Sequence, residues 1–335
     1  MSMLFEPLEP NERFRARRDA ARRRQRRRRS TAVALLLASL LGLAAGATVI
    51  GDDEHAVPAA STPVAKPKPR PTVPKPRTLP SEVRGVHVTM ALASLEGKLE
   101  EYLDLTREGL NTIELDVKDE NGEVGFVASA VPLATRVGAA RPYYKPRRVA
   151  ATVHARGVYL IGRVVMFEDP RLSEGRPDLA IRTTGGAVWR NDAGLGWTNP
   201  YDRRVWDYNV SIAAVAARAG FDEIQFDYVR FPTDGNTDVI VYPGKTATPP
   251  AWVIAEFVHY AAKRLKPLGA RVSTDVFGLA ATRDLGIGQL PKRIAKYVDA
   301  VYPMGYPAHY GPGEYGLADP NAVPGETVRY ALSHF

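Results

Sequence analysis

Between residues 83 and 307, stretches of strand composition alternate with stretches of helical period, and this alternation restricts the chain more than any other feature. The strand-like segments are VRGVHVTM (83–90), TIELDVKD (112–119), YLIGRVVMFED (159–169), EIQFDYVRFP (223–232), RVSTDVFGLA (271–280) and DAVYPMGYP (299–307). Helices are expected over 94–108, 145–156, 201–219, 250–266 and 289–297. In the third, Val205, Tyr208, Ile212, Val215 and Ala216 recur at helical spacing, and Gly220 supplies the stop. Repeated strand–helix units build a parallel sheet, either doubly wound or closed into a barrel.

Polar residues inside the strands favour the barrel. His87 and Thr89, Glu114 with Asp116 and Lys118, Gln225 and Asp227, and Ser273 and Asp275 each alternate with apolar neighbours. A doubly wound sheet is covered on both faces and makes strands that are apolar throughout. In a barrel one parity points inward and turns polar toward the C-terminal mouth. The expected fold is therefore an α/β (β/α)8 TIM-type barrel over 81–335. Six units are visible and the sequence stops at TVRYALSHF, so a C-terminally incomplete barrel is expected; a smaller open α/β sheet is the alternative. NGEVGFVA (121–128) reads as a small inserted hairpin.

Barrel chemistry sits where strands end. Asp116 and Asp119, Glu168 and Asp169, Asp227, and Asp275 all lie near such ends. Convergent carboxylates suit glycosidic cleavage: one protonates the leaving oxygen, the other attacks the anomeric carbon or activates water. Asp227 is expected as the ionised member and Asp275 as the acid. Gln225 shares the parity of Asp227 and is expected to bond that carboxylate or a sugar hydroxyl, and Arg230 lies at the loop start. A structural Asp227–Arg230 ion pair is the competing reading. Asp116 and Glu168 are further candidates for contact with substrate. Sugar faces stack on rings, so Trp189 and Trp197 in the Gly-rich segment TTGGAVWRNDAGLGWTNP, and Tyr302, Tyr306 and Tyr310 at the sixth strand, are candidate subsite walls, with His309 beside them. The lone histidines, including His87, show no metal-ligand spacing, and the calcium-like start DGNTD (234–238) lacks the later ligand positions. Neither a metal site nor a cofactor is expected.

Net charge is +8, but residues 1–80 carry 16 basic and 7 acidic side chains, leaving 29 and 30 for the rest. The basic excess thus belongs to the tail, which argues against a nucleic-acid partner for the domain. With no cysteine, disulfides and thiolate sites are excluded. RFRARRDAARRRQRRRR (13–29) precedes an uncharged run from Ser30 to Gly51. That run is long enough to cross a bilayer, and the arginines place the N-terminus in the cytoplasm. The expected organisation is a cytoplasmic Arg-rich tail (1–30), a transmembrane signal-anchor helix (31–50), a Pro/Lys/Arg-rich linker (51–80) and an extracytoplasmic barrel. The alternative is secretion after cleavage near Ala45–Ala47.

GVYLIGRVVMFEDPRL, PDLAIRTTGGAVWRN, WTNPYDRRVWDYNVSIA, AGFDEIQFDYVRFPTDG, VSTDVFGLA and VDAVYPMGYPAHYGPGEYG, in that order, resemble a bacterial glycoside hydrolase family of TIM-barrel domains. The resemblance covers roughly residues 82–335. It implies a (β/α)8 barrel acting on a polysaccharide, with Asp227 on the fourth strand as catalytic carboxylate, and it implies two further strands beyond the sixth. Ala308 stands where the family motif tends to carry a serine, which leaves the role of the YPAHY loop open. The expected function is a membrane-anchored glycoside hydrolase, retaining, with Asp227 as nucleophile and Asp275 as acid/base. The rivals are a non-catalytic glycan-binding barrel, a metal-dependent carbohydrate deacetylase, and a cell-wall scaffold.

Overall fold

The computed structural model describes residues 77–335. The Arg-rich tail, the apolar span over 31–50 and nearly all of the linker lie outside the described residues. Among the described residues no helix is long and apolar enough to cross a membrane.

Six parallel strands form one sheet in chain order: β1 (Gly85–Val88), β2 (Thr112–Lys118), β3 (Tyr159–Val165), β4 (Glu223–Asp227), β5 (Arg271–Phe277) and β6 (Ala300–Met304). Each link is a crossover through a helix: α1 (Lys98–Asp104), α2 (Pro146–Ala155), α3 (Arg203–Ala219), α4 (Pro250–Leu265) and α5 (Pro291–Ile294), with α6 (Pro324–Leu332) following β6. The helical boundaries follow local chemistry. Pro146, Pro250, Pro291 and Pro324 open helices where a missing N–H costs nothing. Asp202 caps α3 by accepting from the Arg204 amide, and Gly220, at φ 106°, ends it in the left-handed region.

The sheet is open, because β1 pairs only with β2 and β6 only with β5. It is also strongly curled. In a flat sheet, five strand spacings would separate β1 from β6 by about 24 Å, yet His87 of β1 and Met304 of β6 line a single cavity. The architecture is thus a curled, parallel six-stranded half-barrel. The outward parity is apolar: Ile224 and Phe226 of β4 and Val272 and Val276 of β5 are buried, as are Val205, Ile212 and Ala216 of α3 and Phe257 and Val258 of α4. Phe257 takes edge-to-face contacts from Phe167, Trp206 and Phe226.

Two insertions depart from expectation. The segment 121–128 is not a hairpin: it makes one antiparallel bridge, Lys118 with Val124, and Val124 then pairs with Ala140. Asp119 folds the turn instead, its Oδ1 accepting from the Asn121 and Glu123 amides at 3.1 and 2.8 Å. The connection from Glu168 to Pro200 is a packed unit whose Arg182–Thr183 forms a two-stranded ribbon with Ile240–Val241 from the segment after β4. Its anchor is a fully buried ion pair, Lys118 Nζ to Asp169 Oδ2 at 2.8 Å. Lys118 also donates to the Val165 carbonyl at 2.6 Å, and Asp169 accepts from the Leu172 amide.

Candidate active site

The inward parity of the strands stacks polar side chains in layers. The lowest holds Glu223, which accepts from the hydroxyls of Tyr159 and Ser273. Register then sets the next layer: Asp116 stands opposite Arg163, and Arg163 opposite Gln225. Gln225 pairs with Ser273 and Phe226 with Thr274. One residue further, Asp227 and Asp275 reach the same height on neighbouring strands. Above them opens a cavity of about 530 Å³ at the C-terminal rim of the sheet. His87, Glu114, Arg163, Gln225, Asp227, Arg230 and Asp275 line its floor and one side. Phe277, Leu279, Met304, Tyr306, His309 and Tyr310 line the other.

Asp227 closes β4 and is held from two directions. Arg163 donates to its Oδ2 from Nε at 3.0 Å and from Nη2 at 2.7 Å. The Tyr228 amide donates to Oδ1 at 2.7 Å. Tyr228 adopts φ 49° to do this, a left-handed conformation that costs a tyrosine about 1–3 kcal/mol and is characteristic of functional sites. A carboxylate offers about four lone-pair positions; Oδ2 accepts twice and Oδ1 once, so Oδ1 retains one toward the cavity.

Arg163 is the hub of the charge network. Its Nη1 donates to Asp116 Oδ1 at 2.8 Å, and Glu114 and Glu120 lie 3.7 Å from the guanidinium. His87 Nε2 donates to the same Asp116 oxygen at 2.9 Å. Burial opposes the Asp116 charge, but His87 and Arg163 outweigh it and hold the carboxyl below its ordinary value. Burial likewise works against a charged His87, yet the Asp116 bond and charge leave the imidazole above its usual value.

Asp275 is in the opposite state. Burial, followed by the charges of Asp227 and Glu114, holds it well above the carboxylate range, which favours its protonated form. Gln225 Nε2 donates to its Oδ1 at 2.7 Å. Gln289, from the loop after β5, braces both neighbouring main-chain groups, accepting from the Phe277 amide and donating to the Asp275 carbonyl. Glu114 is also pushed up, by burial first.

The structure brings Asp227, Asp275, Gln225, Arg230, Tyr306 and His309 to one cavity. Other readings need correction. Gln225 bonds Asp275, not Asp227, because the sheet curls it toward β5. Asp227 pairs with Arg163 and not Arg230. Asp116 sits beneath His87 and Arg163 and leaves the cavity wall to Glu114. Glu168 is buried outside the lining and bonded by Asn191 Nδ2, with burial pushing it up to about 7. Trp189 and Trp197 are 2% and 0% exposed and form no sugar platform. Trp189 donates to the Asn236 carbonyl and Trp197 packs against Tyr228. Tyr302 turns into the layer below, where burial and Glu223 raise its phenol. Tyr306 is the exposed ring at the rim, edge-on to His309 at 5.1 Å.

Arg163 and Glu114 escaped selection from the sequence, as did His87, which was read as a lone histidine. For Arg163 a signal was present: a single arginine interrupts YLIGRVV as Asp227 interrupts EIQFDYV. Gly278 was also overlooked; a Cβ there would strike the Tyr310 hydroxyl, so glycine lets that tyrosine close the wall. Among the described residues no group of three or more His, Asp or Glu side chains is arranged to hold a metal ion.

A family described as "Putative glycosyl hydrolase domain" matches residues 85–335. A hypothetical protein from Ruminiclostridium thermocellum ATCC 27405 is 35% identical over 57% of this chain and 97% of its own, with a TM-score of 0.50. The glycoside hydrolase domain of PgaB (BpsB) from Bordetella bronchiseptica is 14% identical, covering 75% of this chain and 80% of its own at a TM-score of 0.52; at that identity the likeness concerns the fold alone. No curated protein is significantly similar to this chain.

Proposed function

The chain belongs to this glycosyl hydrolase domain family, and from that premise we propose that it hydrolyses a polysaccharide with Asp227 as nucleophile and Asp275 as general acid and base. The observation that carries the reading is the pairing of unlike states. Asp227 is ion-paired with Arg163, while Asp275, at the same height on the next strand, is unpaired by any cation among the described residues, bonded by Gln225 and pushed well above the carboxylate range by burial. Such divergence between neighbouring carboxyls is how acid and base roles are separated.

In the first step Asp227 Oδ1 attacks the anomeric carbon as Asp275 gives its proton to the departing glycosidic oxygen. The glycosyl ester that forms removes the Asp227 charge, one of the causes holding Asp275 high. Asp275, now ionised, can then take the proton of the water that cleaves the ester, restoring both groups. Gln225 keeps the Asp275 carboxyl aimed throughout. The retaining course is part of the proposal. The reading extends to the fold: in an eight-stranded cylinder, two further strands would bridge β6 to β1, a view supported by the curl and by the two unpaired edges. It extends also to placement, with a membrane anchor at 31–50 and the catalytic domain outside the cell, supported by the basic-then-apolar order of residues 13–51.

The test is hydrolysis of cell-wall and exopolysaccharide preparations, read as new reducing ends, with the anomer of the first product followed by NMR. Retention is expected. Asp227→Asn is expected to lower the rate at least about 10³-fold and Asp275→Asn about 10²–10⁴-fold. An Asp227→Asn protein that cleaves like the wild type would end the assignment. Rates unchanged by a chelator are expected, whereas their loss would favour the metal-dependent deacetylase.

A further inference from the structure

The cavity holds two arginines, and the proposed chemistry employs one. Arg230 is 6% exposed, yet among the described residues no carboxylate lies within ion-pairing distance of it. Its Nη1 donates to the Phe231 carbonyl at 3.1 Å and the Thr233 hydroxyl at 3.0 Å. Nε and Nη2 have no protein acceptor among the described residues, and neither is sealed from the cavity that Arg230 lines. Three rings fix the guanidinium: Trp197 and Tyr228 at 5.1 Å and Phe277 at 4.9 Å from Cζ. Rings attract a cation through their quadrupoles but accept no proper hydrogen bond from it. Glu168 acts on Arg230 only from a distance, its own carboxyl being bonded by Asn191.

A cation removed from water without a counter-charge is costly, and the rings and the two Nη1 bonds leave Arg230 without a paired carboxylate among the described residues. We propose that the counter-charge arrives with the substrate: Arg230 receives the carboxylate of a hexuronic acid, and the enzyme acts on an acidic glycan. The two unpaired donors, Nε and Nη2, lie on one edge of a planar fork, the geometry that meets both oxygens of a carboxylate at once. Of the carboxyls whose charge reaches Arg230, none is paired with it: Asp227 faces Arg163, Glu168 is bonded by Asn191, and Asp234 lies beyond ion-pairing distance. An incoming carboxylate therefore meets a cation with no ion-pair partner. The assignment of substrate class rests on the hydrolase reading, but the binding itself does not.

The experiment is calorimetric binding to the full chain carrying Asp275→Asn, so that no probe is consumed. The probes are trimers of galacturonate, of glucuronate and of mannuronate, each beside its carboxyl-reduced counterpart, and a sulfated neutral trimer. At least one acidic trimer is expected to bind about tenfold or more tightly than its reduced form. That preference is expected to vanish in Arg230→Gln and to survive in part in Arg230→Lys. Equal binding of every acidic trimer and its reduced form overturns the proposal without any Arg230 variant having to fold. So does an Arg230→Gln protein with unchanged circular dichroism that keeps the preference. Binding of the sulfated trimer alone overturns the carboxylate assignment in favour of another oxyanion. Acid-selective binding without hydrolysis by the wild type leaves this inference standing and removes the hydrolase reading.

Discussion

The two sides of the cavity solve the same problem in opposite ways. On the β1–β3 side a buried arginine is surrounded by acids: Arg163 bonds Asp116 and Asp227 and lies near Glu114 and Glu120. On the β4–β5 side an equally buried arginine is surrounded by rings, with no acid paired to it among the described residues. Arg163 is an internal counter-ion whose charge is spent within the protein, fixing Asp227. Arg230 keeps its charge unspent. Residue type is the same and both are buried; the partners separate a structural clamp from the proposed recognition group.

The comparison breaks most visibly at Arg163. Arg163→Leu would leave Asp116 and Asp227 buried without their shared cation. A loss of about 3–5 kcal/mol in denaturant-measured stability is expected, together with loss of hydrolysis. A variant as stable as the wild type would show that the acids protonate at little cost and that no clamp exists.

Next in size is Asp275→Asn. A carboxyl whose folded value is raised binds its proton more tightly folded than unfolded. Between its unfolded value, near 4, and the raised folded one, stability therefore falls as pH rises. Removing the group should flatten that slope and raise the melting temperature at pH 7 while activity collapses. The wild-type rate should in turn fall on the alkaline side as Asp275 gives up its proton. A melting temperature unchanged by the substitution across this range would contradict a raised Asp275.

His87→Gln should have the smallest effect. The raised His87 contributes stability below its unfolded value, about 6.5, and that contribution is lost as pH rises through the folded value. The ring is 40% exposed, so the expected change is under about 1 kcal/mol, seen as a slightly flatter stability profile as pH rises from about 6.5. A larger loss would mean that His87, not Arg163, anchors Asp116.

Much of this architecture was legible beforehand. All six strands and the five crossover helices fall inside the expected segments, with Gly220 ending α3 as anticipated. The inward parity marked Gln225, Asp227 and Asp275 correctly. Partner identity was not legible. Arg230 is three residues from Asp227 in sequence and looked like its ion pair, whereas the real partner, Arg163, lies 64 residues away. Trp189 and Trp197 show a related limit. A tryptophan in a Gly-rich loop looks the same whether its ring faces sugar or core, and these two proved to be the packing of the insertion.

The sequence by itself determined the alternation of strand and helix, the face of each strand that turns polar, and hence the end of the sheet where the cavity opens. These are short-range properties, written in periods of two and 3.6 residues along one backbone. Tertiary structure decided which charge meets which: Arg163 with Asp227, Gln225 with Asp275, and Arg230 with rings alone. The reason is geometric. Pairing across a sheet depends on register between strands and on the curl of the whole layer, and neither is recorded in the local pattern of any one segment.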